Sequence, residues 1–167
     1  MDAIACITGR RSSLRLAEPG PHADDLAVLM SCAQAAPDHG RLQPWRLDPV
    51  TGHRRRRIGD ALARAALDQQ PDMEPVAVDR MRAKPLRAPL LISVISRAVR
   101  HPRIPEWEQL ASAACAVQNV TLAAHALGYG AIWRTGPYLQ HPKLREAADL
   151  ETHETLRGWV YVGSADM

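Results

Sequence analysis

The chain has 167 residues, and its 21 basic and 18 acidic side chains give a formal charge of only +3. This length predicts one globular domain over residues 1–167, and 46% hydrophobic with 23% charged residues is ordinary for a soluble protein. Disordered, collagen-like and disulfide-rich scaffolds are therefore excluded.

Apolar periodicity, with glycine and proline as stops, predicts helices and strands that alternate along the chain. In chain order we predict a helix ending at Gly9, an irregular segment over 15–21, a helix over 24–35, a loop over 37–44, a strand over 45–50, a basic turn leading into a helix over 58–67, a short helix over 76–82, a strand over 90–99, a helix over 106–127, a strand over 129–134, a short helix over 143–150 and a last strand over 156–163. The β-branched run over 90–99 is typical of a central strand covered on both faces. Together these elements predict an α+β sandwich with a mixed sheet.

The longest predicted helix, over 106–127, extends about 30 Å at 1.5 Å per residue. Its many alanines make it narrow, so that neighbouring elements or a second subunit can approach it closely. Because it also carries Gln118, Asn119 and His125, we expect a buried helix rather than a membrane span.

The cysteines Cys6, Cys32 and Cys115 are an odd number without close pairing. They indicate neither a disulfide framework nor a structural zinc site. Residues 1–7 are too short and too acidic for a signal-peptide core. A reducing cytoplasm is therefore the expected compartment.

Several familiar catalytic signatures are absent or in the wrong context. The Gly128-x-Gly130 pair lies between a helix and a strand, which reverses the order that a dinucleotide fingerprint requires. The sequence has no phosphate-binding P-loop and no Gly-x-Ser-x-Gly elbow, and its histidines lack metal-ligand spacing. Glu151, His153 and Glu154 fit a solvated turn better than a metal site. We expect no metal and no catalytic side-chain nucleophile.

The strongest basic patch is Arg54–Arg57, preceded by His53. Nucleic-acid binding would also require a basic face elsewhere and aromatic stacking platforms. The nearly balanced charge argues against both, so we interpret the patch as a solvated turn. A nucleic-acid-binding protein built on this patch remains an alternative.

Two arginines and a serine, Arg10, Arg11 and Ser12, directly follow the first predicted helix. Arginines at the C-terminal end of a helix complement its dipole, and serine often begins the next turn. The same residue types can also surround a phosphate with charge-assisted hydrogen bonds. All basic residues except Lys84 and Lys143 are arginine, an excess that fits either a GC-rich genome or phosphate binding.

Four short segments carry a resemblance to a known family. They are, in order, Arg10-Arg11-Ser12, Pro37-Asp38-His39-Gly40-Arg41-Leu42-Gln43-Pro44-Trp45, Pro105-Glu106-Trp107-Glu108-Gln109 and Gly130-Ala131-Ile132-Trp133-Arg134-Thr135-Gly136. In this order and spacing they resemble the FMN-dependent nitroreductase family, specifically its short branch of NAD(P)H nitroreductases. The resemblance extends over nearly the whole chain, from Met1-Asp2-Ala3 to Tyr161-Val162-Gly163.

The resemblance implies a fold, a cofactor and a set of site residues. The fold would be a nitroreductase-like sandwich in which helices flank a mixed, mainly antiparallel sheet around a long central helix. FMN would lie at a homodimer interface, held by two segments of one subunit and by His39 of the partner subunit. The two segments match Arg10, Arg11 and Ser12, and Trp133, Arg134 and Thr135. The stretch that would serve the nicotinamide nucleotide matches Ala123, Ala124, His125, Ala126, Leu127 and Gly128.

The implied activity is a flavin oxidoreductase without membrane or nucleic-acid partners. A flavin performs hydride chemistry itself, while the protein supplies orientation and electrostatics. We expect ping-pong turnover, in which NADH or NADPH reduces FMN at N5 and leaves before a nitroaromatic or quinone compound takes the electrons. Trp45 and Trp107 are candidates to wall the slot, although such aromatics are more often core residues. Two alternatives stay open: an enone, quinone or flavin reductase for which nitro reduction is incidental, and a flavin-binding protein with little turnover.

One departure from the family concerns a cationic contact. Where close relatives carry an arginine four residues before the histidine, this chain has Ala35. Its loss would weaken FMN binding. We hypothesise that Arg41, on the same loop, substitutes for it.

Overall fold

The computed structural model describes residues 1–165, so the last two positions of the predicted 1–167 domain lie outside the described residues. In chain order it contains α1 (Ala3–Gly9), β1 (Leu16–Ala17), α2 (Ala23–Gln34), a 3-10 turn (His39–Arg41), β2 (Trp45–Val50), α3 (Gly52–Gln69), α4 (Pro75–Ala83), a second 3-10 turn (Lys84–Leu86), β3 (Leu90–Ser96), α5 (Glu106–Ala126), β4 (Gly130–Arg134), α6 (Pro142–Ala147) and β5 (Thr155–Ala165). Every predicted helix and strand is present, most with ends within a few residues of the prediction.

The largest difference from the sequence prediction is at the start of α3. The basic run Arg54–Arg57 was expected in a solvated turn, but it forms the first turns of this helix. Arg54 Nη2 lies 2.7 Å from Asp48 Oδ2, and Arg57 pairs with Asp149. These carboxylates offset the repulsion between cations and the positive end of the helix dipole. Two of the four arginines of the patch are therefore neutralised by carboxylates within the fold.

Two further boundaries differ. The strand predicted over 90–99 ends at Ser96, because the following segment is held by the buried side chain of Gln109. Its amide donates to the carbonyl of Val99 at 2.8 Å and its oxygen accepts from the amide of Val99 at 2.9 Å. The two-residue strand β1 was not predicted, since it lies in a proline-rich segment and is defined only by its pairing with the end of β5.

The sheet is built around β5, which pairs antiparallel with β1, β3 and β4. Strand β2 extends the sheet by pairing antiparallel with β3. A single parallel bridge joins Ser12 to Ala131 outside the named strands. This arrangement confirms the predicted mixed, mainly antiparallel sheet.

Strand β3 is buried over all seven of its residues and separates two hydrophobic cores. Because successive side chains of a strand point to opposite faces, Ile92 and Val94 pack with α2 and α5, whereas Leu91 and Ile95 pack with α3 and α6. The sheet is therefore a middle layer with helices on both faces. The alanines of α5 allow this long helix to pack closely against the sheet and α2.

A bulge in β5 fixes the position of the end of β4. The β3–β5 register shifts between Val94 and Ile95, and Gly158 adopts φ +119°. A Cβ at this position would collide with the carbonyl oxygen of Arg134. Glycine is therefore required here, because only a residue without a side chain allows Arg134, the last residue of β4, to pair with β5.

Within residues 1–165, we find no helix that is both long and apolar enough to cross a membrane.

Candidate functional site

The segment after α1 lies against the edge of β4. Asp2 caps the helix by accepting from the amide of Ala5 at 3.0 Å, and the helix ends at Gly9. The chain then turns, and the amide of Ser13 donates to the carbonyl of Ala131 at 3.1 Å. This contact carries the residues between Gly9 and Ser13 to β4 and α5, although they are distant in sequence.

A cleft of about 210 Å³ forms at this junction. Its polar lining residues are Arg10, Ser12, Gln118, Thr121 and the edge of Trp133, and we call it the Arg10 cleft. Two sequence-predicted segments, at the N-terminus and at β4, thus contribute to one cavity. The contribution of Gln118 and Thr121 was missed by sequence reasoning, although two polar residues three apart in an Ala-rich helix were the available signal.

The guanidinium of Arg10 and the hydroxyl of Ser12 have no hydrogen-bond or ion-pair partner among residues 1–165. Arg11 behaves differently, since its Nη1 donates to the carbonyls of Thr8 at 2.7 Å and Arg10 at 2.9 Å. It closes the C-terminal end of α1, as the helix-dipole interpretation expected. Arg10 and Ser12 therefore give the cleft one cationic and one hydroxyl donor that are free within residues 1–165.

The second predicted segment is divided by the pleat of β4. Trp133 is opposite Val160, on the side of α2 and α5, whereas Arg134 is opposite Trp159, on the side of α3 and α6. Adjacent strand residues necessarily face opposite sides. Thr135 follows Arg134 on that second side. The three residues therefore line two cavities in this structure, and their assignment to one ligand, FMN, stays a prediction.

That other cavity, of about 220 Å³, is lined by three basic side chains, and we call it the basic cleft. Its charged and hydroxyl-bearing lining residues are Lys84, Arg87, Arg134, Thr135, Tyr138 and Tyr161. Burial lowers the pKa of Lys84, and the charges of Arg87 and Arg134 lower it further. Burial raises the pKa of Tyr161. Sequence reasoning missed Lys84 and Arg87, because they lie on a short turn that carries no motif.

His39 lies on the first 3-10 turn, away from the Arg10 cleft of its own chain. Its Nδ1 is 2.8 Å from Glu108 Oε2, and the imidazole is 63% exposed. Glu108 is in the first turn of α5, about 15 Å along the helix from Gln118. The structure therefore does not bring His39 to Arg10 within one subunit.

The predicted nicotinamide segment is mostly apolar. Ala124 is fully buried in the core, and Gly128 ends α5 with φ +87°. Ala123 and Ala126 line an open cavity of about 420 Å³ between α1, α2 and α5, which we call the apolar groove. His125 is half-buried beside Gly9. The segment offers few polar groups to a nucleotide.

The remaining candidates are on different parts of the surface or in the core. Ala35 and Arg41 are both exposed, and Ala35 borders the apolar groove. Trp45 is 3% exposed and belongs to the core, whereas Trp107 is 68% exposed at the start of α5. Within residues 1–165, no group of three or more His, Cys, Asp or Glu side chains could hold a metal ion.

Glu154 corrects the expectation of a solvated turn at 151–154. It is 2% exposed, and its carboxylate accepts from Arg46 Nε at 2.8 Å and from Nη2 at 2.6 Å. Arg46 holds the pKa of Glu154 below its ordinary value. A carboxylate is stable here because a guanidinium from β2, more than a hundred positions earlier, neutralises it.

Comparison with known proteins agrees with the fold. The sequence model of the Nitroreductase family matches residues 7–164. The chain therefore belongs to the Nitroreductase family, and it is an oxidoreductase enzyme.

Individual relatives cover the chain almost completely. It is 36% identical over 167 residues to the protein named "Putative NAD(P)H nitroreductase YdjA" from Escherichia coli (strain K12), covering 100% of this chain and 90% of the relative. The nitroreductase-like family protein from Bacillus cereus superposes with a TM-score of 0.83 at 24% identity, over 100% of this chain and 87% of the other. A nitroreductase with bound FMN from Bacteroides fragilis NCTC 9343 gives 0.78 at 20% identity, over 99% and 89%. The two solved structures confirm the predicted fold.

Proposed function

We propose that this oxidoreductase binds FMN and uses NADH or NADPH to reduce nitroaromatic or quinone-type acceptors. The observation that carries the proposal is the Arg10 cleft, where a guanidinium and a hydroxyl without partners in the described part of the chain meet the edge of β4. The relative named as an NAD(P)H nitroreductase and the neighbour described with bound FMN support the choice of donor and cofactor.

The donors of the cleft suit a flavin mononucleotide. Arg10 and Ser12 would donate to the phosphate oxygens, since charge-assisted hydrogen bonds to phosphate are short and strong. The amide of Gln118 would contact ribityl hydroxyls, and Trp133, 39% exposed, would offer an apolar surface beside them. Arg11 would contribute positive charge from the end of α1 rather than a direct contact.

FMN, when bound, supplies the two-electron chemistry. The tasks of the chain are to hold the phosphate, to orient the ring and to exclude water. We expect the nicotinamide donor and the acceptor to occupy one slot in turn, which gives ping-pong kinetics. The chain segment at 123–128 is the proposed side on which the nicotinamide nucleotide approaches.

We further propose that the working unit is a homodimer. Ile4 is 70% exposed and Ile7 is 55% exposed on α1, beside the apolar groove. A second subunit covering this face would remove these side chains from water. It would also allow His39 of the partner subunit to reach a flavin that His39 of the same chain cannot approach. Arg41, which has no side-chain partner within residues 1–165, would then replace the cationic contact missing at Ala35.

The three cysteines are free thiols, and Cys6 is buried with its Sγ donating to the carbonyl of Leu122 at 3.3 Å. Free thiols are typical of a reducing compartment, and they support our proposal that the enzyme works in the cytoplasm.

The test is the absorbance spectrum of the purified protein, incubated with FMN and desalted, before and after anaerobic addition of NADH or NADPH. We expect retained flavin absorbance that bleaches with at least one donor. Arg10→Gln should raise the Kd for FMN about 10- to 100-fold, as expected for losing a charge-assisted hydrogen bond. Arg56→Gln, on the exposed side of α3, is the matched control and should leave the Kd unchanged.

The outcomes separate the parts of the proposal. Absence of retained flavin contradicts the cofactor assignment, and retained flavin that neither donor bleaches indicates a flavin-binding protein without this turnover. Arg41→Ala should lower flavin content and slow reduction. If both are unchanged, the substitution of Arg41 for the missing arginine is wrong.

A further inference from the structure

Three cationic side chains face the basic cleft without a counterion. Lys84 and Arg87 come from the turn after α4, and Arg134 comes from the end of β4. No carboxylate is among the residues that line the cleft, and none of the three cations has a side-chain partner within residues 1–165. Their positive charge is therefore not neutralised by the part of the chain that the structure describes.

Two other arginines on the same face of the sheet are paired with carboxylates. Arg46 binds Glu154, and Arg54 binds Asp48. Arg46 and Arg54 are thus neutralised by carboxylates, whereas the partly buried Lys84 and Arg134 and the exposed Arg87 have no carboxylate partner within residues 1–165. Burial lowers the pKa of Lys84 most, and repulsion from Arg87 and Arg134 lowers it further. An anion placed among the three cations would relieve that repulsion, because charges interact strongly where water is partly excluded.

The walls of the cleft indicate what else the anion carries. The cleft also has apolar lining residues, which we call its apolar side: Leu62, Leu139 and Trp159. Two tyrosines, Tyr138 and Tyr161, add hydroxyl groups. Trp159 is 4% exposed, and its buried indole Nε1 has no hydrogen-bond partner among the described residues. This N–H is therefore a further free donor at the cleft. A volume of about 220 Å³ suits a molecule with one ring.

We propose that the basic cleft binds a small aromatic acid, with its carboxylate among Lys84, Arg87 and Arg134 and its ring against the apolar side. Inorganic phosphate would use the cations but not the apolar wall, so the structure favours the aromatic carboxylate. The site is separated from the Arg10 cleft by the pleat of β4, which directs Trp133 and Arg134 to opposite faces. The proposal does not depend on flavin binding.

The experiment is calorimetric titration of the full chain, saturated with FMN, with benzoate at constant ionic strength. Benzamide serves as the uncharged analogue, and inorganic phosphate tests the anion without a ring. We expect saturable binding of benzoate, at least about tenfold weaker binding of benzamide, and weaker binding of phosphate than of benzoate. The same titration without FMN should give the same benzoate affinity.

Variants assign the binding to this cleft. Arg87→Gln and Lys84→Gln should each weaken benzoate binding about tenfold, while Lys84→Arg should retain most of it. Arg80→Gln, on the exposed face of the neighbouring α4, is the matched control and should have no effect. Circular dichroism checks that every variant is folded.

Several results would overturn the proposal. Equal affinity for benzoate and benzamide excludes recognition of the charge, and tighter binding of phosphate excludes the aromatic class. Unchanged benzoate affinity in folded Arg87→Gln and Lys84→Gln places the binding elsewhere. Competition between FMN and benzoate would make the cleft part of the flavin site. A protein that fails to bind FMN but binds benzoate would contradict the proposed function and leave this inference intact.

Discussion

The ion pair between Arg46 and Glu154 is the most buried salt bridge among the described residues, since the side chain of Glu154 is 3% exposed. The guanidinium contacts both carboxylate oxygens, and the amide of Glu151 donates to Oε2 at 3.1 Å. A buried charge loses its hydration and is stable only if its partners replace it. The pair therefore connects β2 to the start of β5 and depends on the charge of Glu154.

Glu154→Gln should lower the free energy of unfolding by about 3 kcal/mol at neutral pH, because Arg46 loses its neutralising partner. Arg46 keeps the pKa of Glu154 low in the folded state. The stabilisation is therefore fully present above the pKa of an ordinary glutamate and is lost as pH falls through the lower folded pKa. Urea denaturation at a series of pH values from about 7 to 3 measures the effect.

The control for this variant is Glu146→Gln, whose side chain is 76% exposed and pairs with Lys143 at 3.3 Å. An exposed pair contributes little, so this change should alter stability by less than about 1 kcal/mol. If the difference between wild type and Glu154→Gln does not shrink at acid pH, the ionic account of the pair is wrong.

At the scale of elements, the bulge in β5 positions the last residue of β4. Gly158 has a positive φ, and a side chain there would meet the backbone of Arg134. Since Trp133 lines one cleft and Arg134 lines the other, this contact influences both cavities.

Gly158→Ala should lower the free energy of unfolding by more than about 2 kcal/mol, since backbone strain and a steric clash act together. It should also weaken FMN and benzoate binding, because the end of β4 must move. Gly52→Ala is the matched control: its φ is +53°, but no atom lies within 4 Å of the added Cβ. Gly52→Ala should therefore lower the free energy of unfolding only by the backbone strain of a left-handed alanine, about 1 kcal/mol. Equal effects of the two variants on stability and binding would show that the bulge does not position β4.

At the scale of the whole molecule, the exposed Ile4 and Ile7 of α1 and the adjoining apolar groove form an apolar surface. Ile7→Asp places a charge on this surface, which burial in a dimer would not tolerate. We expect the wild type to sediment as a dimer, and the variant to sediment as a folded monomer with lower flavin retention at equal protein concentration.

The control is Val76→Asp, which changes a side chain that is 62% exposed on α4, away from the groove. It should leave both sedimentation and flavin content unchanged. A wild type that sediments as a monomer while retaining FMN would contradict the dimeric site.

The order and type of the main elements followed from the sequence, because apolar periodicity and proline or glycine stops are local properties. The β-branched run at 90–96 and the alanine-rich α5 are examples. The four short segments were sufficient for the family, since they are matched residue by residue. The environment of the charged residues was not local: Arg54 lies near the start of α3 paired with Asp48, and the buried carboxylate of Glu154 is paired with Arg46.

The sequence by itself determined an α+β nitroreductase fold and placed Arg10, Ser12 and Trp133 among the candidates for one ligand. Only the tertiary structure decided that Arg134 faces a different cavity, because the pleat of β4 separates adjacent side chains that are neighbours in the sequence. The same folding brought Lys84 and Arg87 to Arg134 from almost fifty positions away. Such a convergence of like charges depends on long-range packing, which no pattern along the chain encodes.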